Sequence, residues 1–376
     1  MNTAEHEARR DRALGALYGL ALGDALGMPT QELSRARAEQ LLAAGPVLLP
    51  GPAANPISAG LPAGSVTDDT EQALLLAQEL VDGGGTLDPV RFASSLLDWQ
   101  DRMAARGSLD LLGPTTRTAL AAVRAGADPR TTGRGGATNG AAMRVAPLGV
   151  ATPIGHPGGE PGSPSGGPPP TASGAASAAA SGAASGQLET FVAAVAAACR
   201  TTHESPDAYA GAAAVAAVVS FGVQGAAFTE SLPAALDAAA LAADLASPGT
   251  GRSRDVPLLI SRAVLLARRA RASDGLGAAL DVIDRSVGTS LATHESVPAA
   301  FAVAALEPDD GWAAAWLGAR LGGDADTIGA MAGAMVGACR GLSTLPAGPL
   351  AVVRSVNRLD LSLLADQLLA LRDGRA

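Results

Sequence analysis

The strongest constraint on this chain is a helical period that runs almost from end to end. Apolar residues recur at three- and four-residue spacing in 13–26, 70–82, 88–105, 187–200 and 207–220. The same spacing returns in 230–245, 255–271, 297–306, 310–321, 325–340 and 359–372. Alternating runs of Val, Ile, Thr and aromatic residues, which would mark half-buried strands, are missing. Alanine is the best helix former, and its small side chain lets helices pack closely. The pattern predicts an all-α fold of about a dozen helices with few strands.

Residues 155–186 break the pattern. They read "GHPGGEPGSPSGGPPPTASGAASAAASGAASG", with almost no large apolar side chain. Such a stretch buries too little surface to offset its ordering entropy. It reads either as a linker between two domains or as a loop inserted in one. The helical signals on its two sides are alike, and motifs on both sides need each other. The expectation is one compact domain over 1–376 with a disordered insertion at 155–186.

The formal charge is −9, and every basic residue is an arginine. That balance argues against non-specific nucleic-acid or anionic-membrane binding, which requires a basic face. Near the N-terminus, "RRDRALGALYGLALGDALGM" has the arginines and apolar run of a signal peptide. Glu5, Glu7 and Asp11 make the leader acidic as well, and Asp24 interrupts the next apolar stretch, so a buried helix is expected. No window is read as approaching the roughly 18 apolar residues of a membrane helix. Cys199 and Cys339 lie in Ala-rich apolar runs and read as small buried residues in a reducing, cytoplasmic setting.

The chemistry concentrates in two acidic clusters. Residues 65–72 read "SVTDDTEQ", directly before the apolar run "ALLLAQEL". Ser65 or Thr67 suits a helix N-cap, and carboxylates are favoured near a helix N-terminus. One cap needs one oxygen, however, whereas Thr67, Asp68, Asp69 and Thr70 offer several. Residues 322–329, "GGDADTIG", repeat the arrangement before a second apolar helix. Clusters so far apart in sequence meet only through the fold. Together their four aspartates and two threonines make an all-oxygen donor set that suits hard divalent cations such as Mg²⁺ or Mn²⁺. Two cations would balance the charge.

Other stretches carry weaker signals. Gly329, Gly333 and Gly337 recur every fourth residue and predict a smooth-faced central helix with closely packed neighbours. "GRGGATNGAAMRVAPLG" at 133–149 places glycines before a helix-compatible run, where exposed backbone N–H groups can bind phosphate. His203 precedes a proline-marked helix start in "TTHESPDAYAGA", and "THESVPAAF" at 293–301 echoes that stretch. A lone histidine of this kind is more often a structural hydrogen-bonding residue.

In order along the chain stand "GALYGLALGDALG" (15–27), "TDDT" (67–70), "NGAAMRVAPLG" (139–149), "THESP" (202–206), "SVPAAF" (296–301) and "GGDADTIGAMAGAMVGA" (322–338). In these motifs the chain resembles the ADP-ribosylglycohydrolase family over about residues 13–340, apart from the insertion. The resemblance implies a compact all-α fold with a binuclear Mg²⁺ or Mn²⁺ centre. It implies metal ligands at Thr67, Asp68, Asp69, Asp324, Asp326 and Thr327. It places a substrate pyrophosphate near Gly135, Gly136, Asn139 and Gly140, with His203 beside the ligand. The implied activity is hydrolysis at the anomeric ribose carbon of an ADP-ribosylated protein or a small ADP-ribosyl or ribosyl substrate.

Two positions depart from the family pattern. Where many relatives carry a glutamate seven residues after the aspartate of "GDALG", this chain has Gln31, and the glutamate follows at Glu32. A neutral amide is no general base, so either Glu32 serves as the base in its place or catalysis uses another group. Where other relatives carry "DIG", this chain reads "SLDLLGPTT", which makes Asp110 a second candidate. Two alternatives stay open at this point: a two-metal nucleotide phosphohydrolase, and a non-catalytic ADP-ribose-binding or structural relative.

Overall fold

The computed structural model describes residues 3–105, 112–155 and 174–375, with backbone alone over 174–185. Sixteen α-helices follow one another among these residues. The first eight are α1 (Thr3–Gly27), α2 (Arg35–Leu41), α3 (Asp68–Asp82), α4 (Pro89–Ala105), α5 (Pro114–Arg124), α6 (Gly140–Met143), α7 (Ala146–Ala151) and α8 (Gly174–Arg200). The rest are α9 (Pro206–Gln224), α10 (Phe228–Ala243), α11 (Val256–Val282), α12 (Thr293–Leu306), α13 (Gly311–Ala319), α14 (Ala325–Arg340), α15 (Ala347–Asn357) and α16 (Ser362–Arg372). Extended pairing among the described residues is limited to two isolated bridges, Arg134 with Glu204 and Thr138 with Ala292. The all-α expectation holds, and each periodic segment lies on a helix.

Helices α2, α5 and α15 are not read from the periodicity, while α6 and α7 fall in the stretch read only as helix-compatible. The insertion also ends earlier than expected. Its Ala-rich tail, from Gly174 onward, is the first part of α8, in keeping with alanine's helix propensity. Residues 156–173 of the insertion lie outside the described residues.

Two glycine ladders set the centre of the fold. Gly15, Gly19 and Gly23 of α1 face Gly337, Gly333 and Gly329 of α14, so the helices run antiparallel. A Cβ added at Gly19 would sit 2.2 Å from the Gly333 carbonyl oxygen, and one at Gly23 only 2.0 Å from that of Gly329. The smooth face predicted for α14 is therefore met by a matching face on α1. Because the pair is antiparallel, Gly27 at the end of α1 lies against Ala325 and Asp326 at the start of α14. This juxtaposition places the acidic cluster.

Around this pair the core continues through α9 and α12. Ser205 caps α9, its hydroxyl accepting from the Ala208 amide at 3.2 Å, and Gly225 ends it at φ 107°. Contrary to the sequence reading, α9 is long and apolar enough to cross a membrane, yet nearly all of it is buried by other helices. A helix that is apolar all round fits the centre of a large core. The first helix agrees with expectation: Ala13–Gly27 is buried throughout. Cys199 and Cys339 are free thiols inside the core, where burial pushes each up to about 12.

Candidate active site

Asp24 organises the site. It is fully buried near the end of α1 and accepts hydrogen bonds from both threonines of the TDDT segment. The Thr67 amide and hydroxyl donate to it at 2.9 Å each, and the Thr70 amide and hydroxyl at 3.1 and 2.5 Å. Thr67 stands at the N-cap position of α3 but makes no side-chain cap. The two threonines thus fix α3 on α1, which leaves Asp68 and Asp69 to project elsewhere. Simple capping is not what these residues do.

They project into a cavity of about 520 Å³, where Asp324, Asp326 and Thr327 from the start of α14 also face. The two acidic clusters do meet. Thr67 does not reach the cavity wall; its hydroxyl lies beneath, 3.2 Å from Asp69 Oδ2. Burial pushes Asp24 and Asp324 up to about 6, and burial together with mutual repulsion holds Asp68, Asp69 and Asp326 well above the carboxylate range. Five carboxyl groups thus share a confined space. Asp69 Oδ1 is buried without a hydrogen bond of sound geometry, although the Thr327 side chain lies near enough to favour that carboxylate.

Among the described residues, no three carboxylate, imidazole or thiolate groups form a metal-binding cluster. Four aspartates of the donor set expected from the sequence line one shared wall. The donor chemistry still suits a hard cation. Every donor is oxygen, one of them lacks a partner, and burial followed by repulsion from the neighbouring aspartates makes the carboxyls protonate more readily than usual.

Behind the wall runs a buried polar chain that the sequence did not suggest. Gln72 donates to Asp68 Oδ2 at 2.8 Å and accepts from Arg144 at 2.9 Å. Arg144 also donates to the Thr202 hydroxyl at 2.6 Å, and its guanidinium lies over the Phe92 ring. Thr202 in turn bonds His203 Nδ1 at 2.8 Å. Burial lowers Arg144 to about 10, which leaves it charged at neutral pH and gives the acidic cluster a cation one residue removed. A buried arginine inside "NGAAMR" was the available signal.

The glycine-rich segment behaves differently from expectation. The Gly135 amide donates to Glu204 O at 2.9 Å, and the Gly136 amide to Gly133 O at 2.9 Å. Neither residue lines the cavity, and neither has a free donor for phosphate. Gly140 and Asn139 do line it. The Asn139 amide donates to Ser296 Oγ at 2.8 Å and also to Asp324 Oδ2, which ties the "SVPAAF" helix to the acidic wall. His203 is fully buried behind Gly140, not at the wall. Both ring nitrogens are paired with threonine hydroxyls, and burial, then the charge of Arg144, lowers its pKa well below the usual range. It is a structural histidine.

Gln31 and Glu32 both line the cavity. Gln31 is held through its carbonyl by the Asn55 amide at 2.8 Å. Glu32 occupies the left-handed region at φ 61°, while its amide donates to Gly323 O at 2.7 Å. A glutamate at positive φ is strained, a condition that persists where surrounding structure enforces it. Here the enforcing partner is the loop that carries Asp324, and the Glu32 carboxylate lies near enough to raise Asp324. Asp110 lies outside the described residues. Arg117, which the sequence reading passed over, also lines the cavity.

A family description named ADP-ribosylglycohydrolase matches residues 5–163 and 155–376 of the chain. The uncharacterized protein YegU of Escherichia coli is 34% identical over 374 residues, covering 98% of this chain and 99% of YegU. The ADP-ribosylarginine hydrolase Tri1 of Pseudomonas putida is 34% identical over 159 residues, 39% of this chain and 38% of its own. Among solved structures, an ADP-ribosylglycohydrolase-related protein complex aligns over 98% of this chain and all of its own, at TM-score 0.59 and 25% identity.

Proposed function

Because this chain belongs to the ADP-ribosylglycohydrolase family, we propose that it hydrolyses the bond at the anomeric ribose carbon of an ADP-ribosylated acceptor or a related ribosyl substrate. The observation that carries this reading is the meeting of Asp68, Asp69, Asp324 and Asp326 on one cavity wall, with Glu32 in the same cavity. Asp68, Asp69, Asp324, Asp326 and Thr327 would hold one or two divalent cations, Mg²⁺ or Mn²⁺. Such cations supply charge stabilisation and a means of orienting the ribose hydroxyls and water. Thr67 would support the set from below, since its hydroxyl is committed to Asp24.

In this reading Asp24, Thr67 and Thr70 hold α3 so that Asp68 and Asp69 keep their direction. Asn139 and Gln72 do the same for Asp324 and Asp68. Glu32 is the general base: its carboxylate takes a proton from water as the water oxygen attacks the anomeric carbon. The departing acceptor leaves with the bonding electron pair and takes the proton that Glu32 has removed from water, which regenerates the base. The neutral Gln31 next to it shapes the wall and does not titrate.

The Pseudomonas relative, an ADP-ribosylarginine hydrolase by name, puts arginine-linked ADP-ribose first among substrates to try. The test is to incubate the protein, with Mg²⁺ and separately with Mn²⁺, with a panel of ADP-ribosylated peptides and small ribosides, and to identify products by mass. Release of a free acceptor and the corresponding ribose product supports the reading. Phosphate release without glycosidic cleavage replaces it with a phosphohydrolase, and no turnover of any panel member points to a non-catalytic relative.

A further inference from the structure

Arg144 is a donor-only group at the centre of the buried polar chain, and this fixes the sense of each hydrogen bond that leaves it. Its Nη1 donates to Gln72 Oε1, so the amide nitrogen of Gln72 is the end that faces Asp68 Oδ2. Its Nη2 donates to Thr202 Oγ1 at 2.6 Å, and the same hydroxyl lies 2.8 Å from His203 Nδ1. Thr202 is fully buried, and a buried hydroxyl hydrogen needs an acceptor. His203 Nδ1 supplies one only when it carries no proton. The ring is neutral, since burial and then the charge of Arg144 hold its pKa well below the usual range. Its single proton therefore sits on Nε2, which lies 2.9 Å from Thr138 Oγ1. The Thr138 hydroxyl accepts that N–H and keeps its own hydrogen to give.

Thr138 is where the chain returns to the cavity. Thr202 and His203 stand behind the wall, whereas Thr138 lines it beside Asn139. Gly140 makes the return possible. A Cβ there would sit 2.7 Å from His203 Cε1 and 2.9 Å from Nε2, so only glycine leaves room for the ring directly behind the wall. On its other side, segment 137–139 is pinned by main chain. The Asn139 amide donates to Leu291 O at 2.9 Å, and the Thr293 amide donates to Ala137 O at 3.1 Å. The hydroxyl is thus fixed both in place and in sense.

We propose that Thr138 is a specificity-determining hydrogen-bond donor of this cavity, and that Arg144, acting through Thr202 and His203, is the positioning residue that sets its sense. The group it meets on a ligand is an oxygen that offers a lone pair, such as a sugar hydroxyl or ring oxygen. An ammonium or N–H group at the same place would face another hydrogen. The ligand role rests on the glycohydrolase reading above; the placement of the His203 proton does not. Neither Thr138 nor Arg144 touches the bond that breaks.

Two measurements on the full chain test this. The first is the ring ¹⁵N spectrum of His203, read with His6, His156 and His294 changed to Gln so that one histidine remains. The expected result is a protonated Nε2 and an unprotonated Nδ1. The same tautomer should persist in Thr138→Val, because the proton is placed from the Arg144 side. A protonated Nδ1 with Thr138 present, or a tautomer that switches in Thr138→Val, overturns the proposal. The second is calorimetric titration with ADP-ribose in Mg²⁺. Thr138→Val keeps the shape and loses the hydroxyl, so it should bind roughly three- to tenfold more weakly, the loss of one neutral hydrogen bond. Thr138→Ser should bind as wild type does, which separates the hydroxyl from its packing. Equal affinity of wild type and Thr138→Val removes Thr138 from ligand recognition and leaves the glycohydrolase reading intact. Failure of wild type to bind ADP-ribose sinks that reading and the ligand role of Thr138 with it, while the ring spectrum decides the tautomer on its own.

Discussion

At the scale of single residues, the proposed reaction turns on Glu32 as its general base. The chain holds it at φ 61°, a conformation that an ordinary turn would give to glycine or asparagine. The strain is enforced by the hydrogen bond that its amide donates to Gly323 O, which ties Glu32 to the Asp324 loop. Replacing Glu32 by Gln keeps size and backbone preference while removing the base. Turnover should fall by roughly 10²–10⁴-fold, with cation affinity measured by calorimetry nearly unchanged. Unaltered turnover would take Glu32 out of the mechanism.

At the scale of elements, the pairing of α1 with α14 carries the site, because it brings Gly27 against Asp326. The closeness comes from glycines that meet backbone carbonyls, which cannot give way as side chains do. Gly19→Ala should therefore destabilise the protein by about 1–3 kcal/mol or more through overpacking, despite alanine's better helix propensity. Gly277→Ala in α11 is the control with the opposite sign. A Cβ there meets nothing within 4 Å, and the change should stabilise by up to about 1 kcal/mol. Urea unfolding of the two variants measures both. A neutral result at Gly19 would mean that the two helices separate readily and that the ladder does not fix the site.

At the scale of the whole molecule, the aspartates join segments from opposite ends of the chain, so anything that relieves their repulsion stabilises the entire fold. The carboxyls have raised pKa values when folded; Asp24 and Asp324 reach about 6, and Asp68, Asp69 and Asp326 are raised well above the ordinary value. The folded state then binds more protons than the unfolded one. The contribution of these groups is fully present below about pH 4 and is lost as pH rises through the folded values. In chelator, the melting temperature of wild type should fall more between pH 5 and pH 7.5 than that of Asp326→Asn, which has one such group fewer. At pH 7.5 a cation that binds only the folded state should add about 2.7 kcal/mol at a hundredfold excess over its Kd. That gain should largely vanish in Asp326→Asn. If wild type melts at the same temperature with and without cation, the proposed cation site is wrong.

The sequence by itself determined the helical class, the positions of the long helices and the side-chain types of the two acidic clusters. Each of these is written locally, in apolar period and in side-chain type. The short helices α5 and α15 were not legible, because their stability comes from what they pack against. Nor did Asp24 show itself as the residue that aims Asp68 and Asp69, since its partners lie more than forty residues away. The tertiary structure also reassigned two expectations. His203 became a buried support, and the amides of Gly135 and Gly136 went to protein carbonyls. Whether a donor is free or spent depends on which distant group lies opposite it, and only the folded chain decides that.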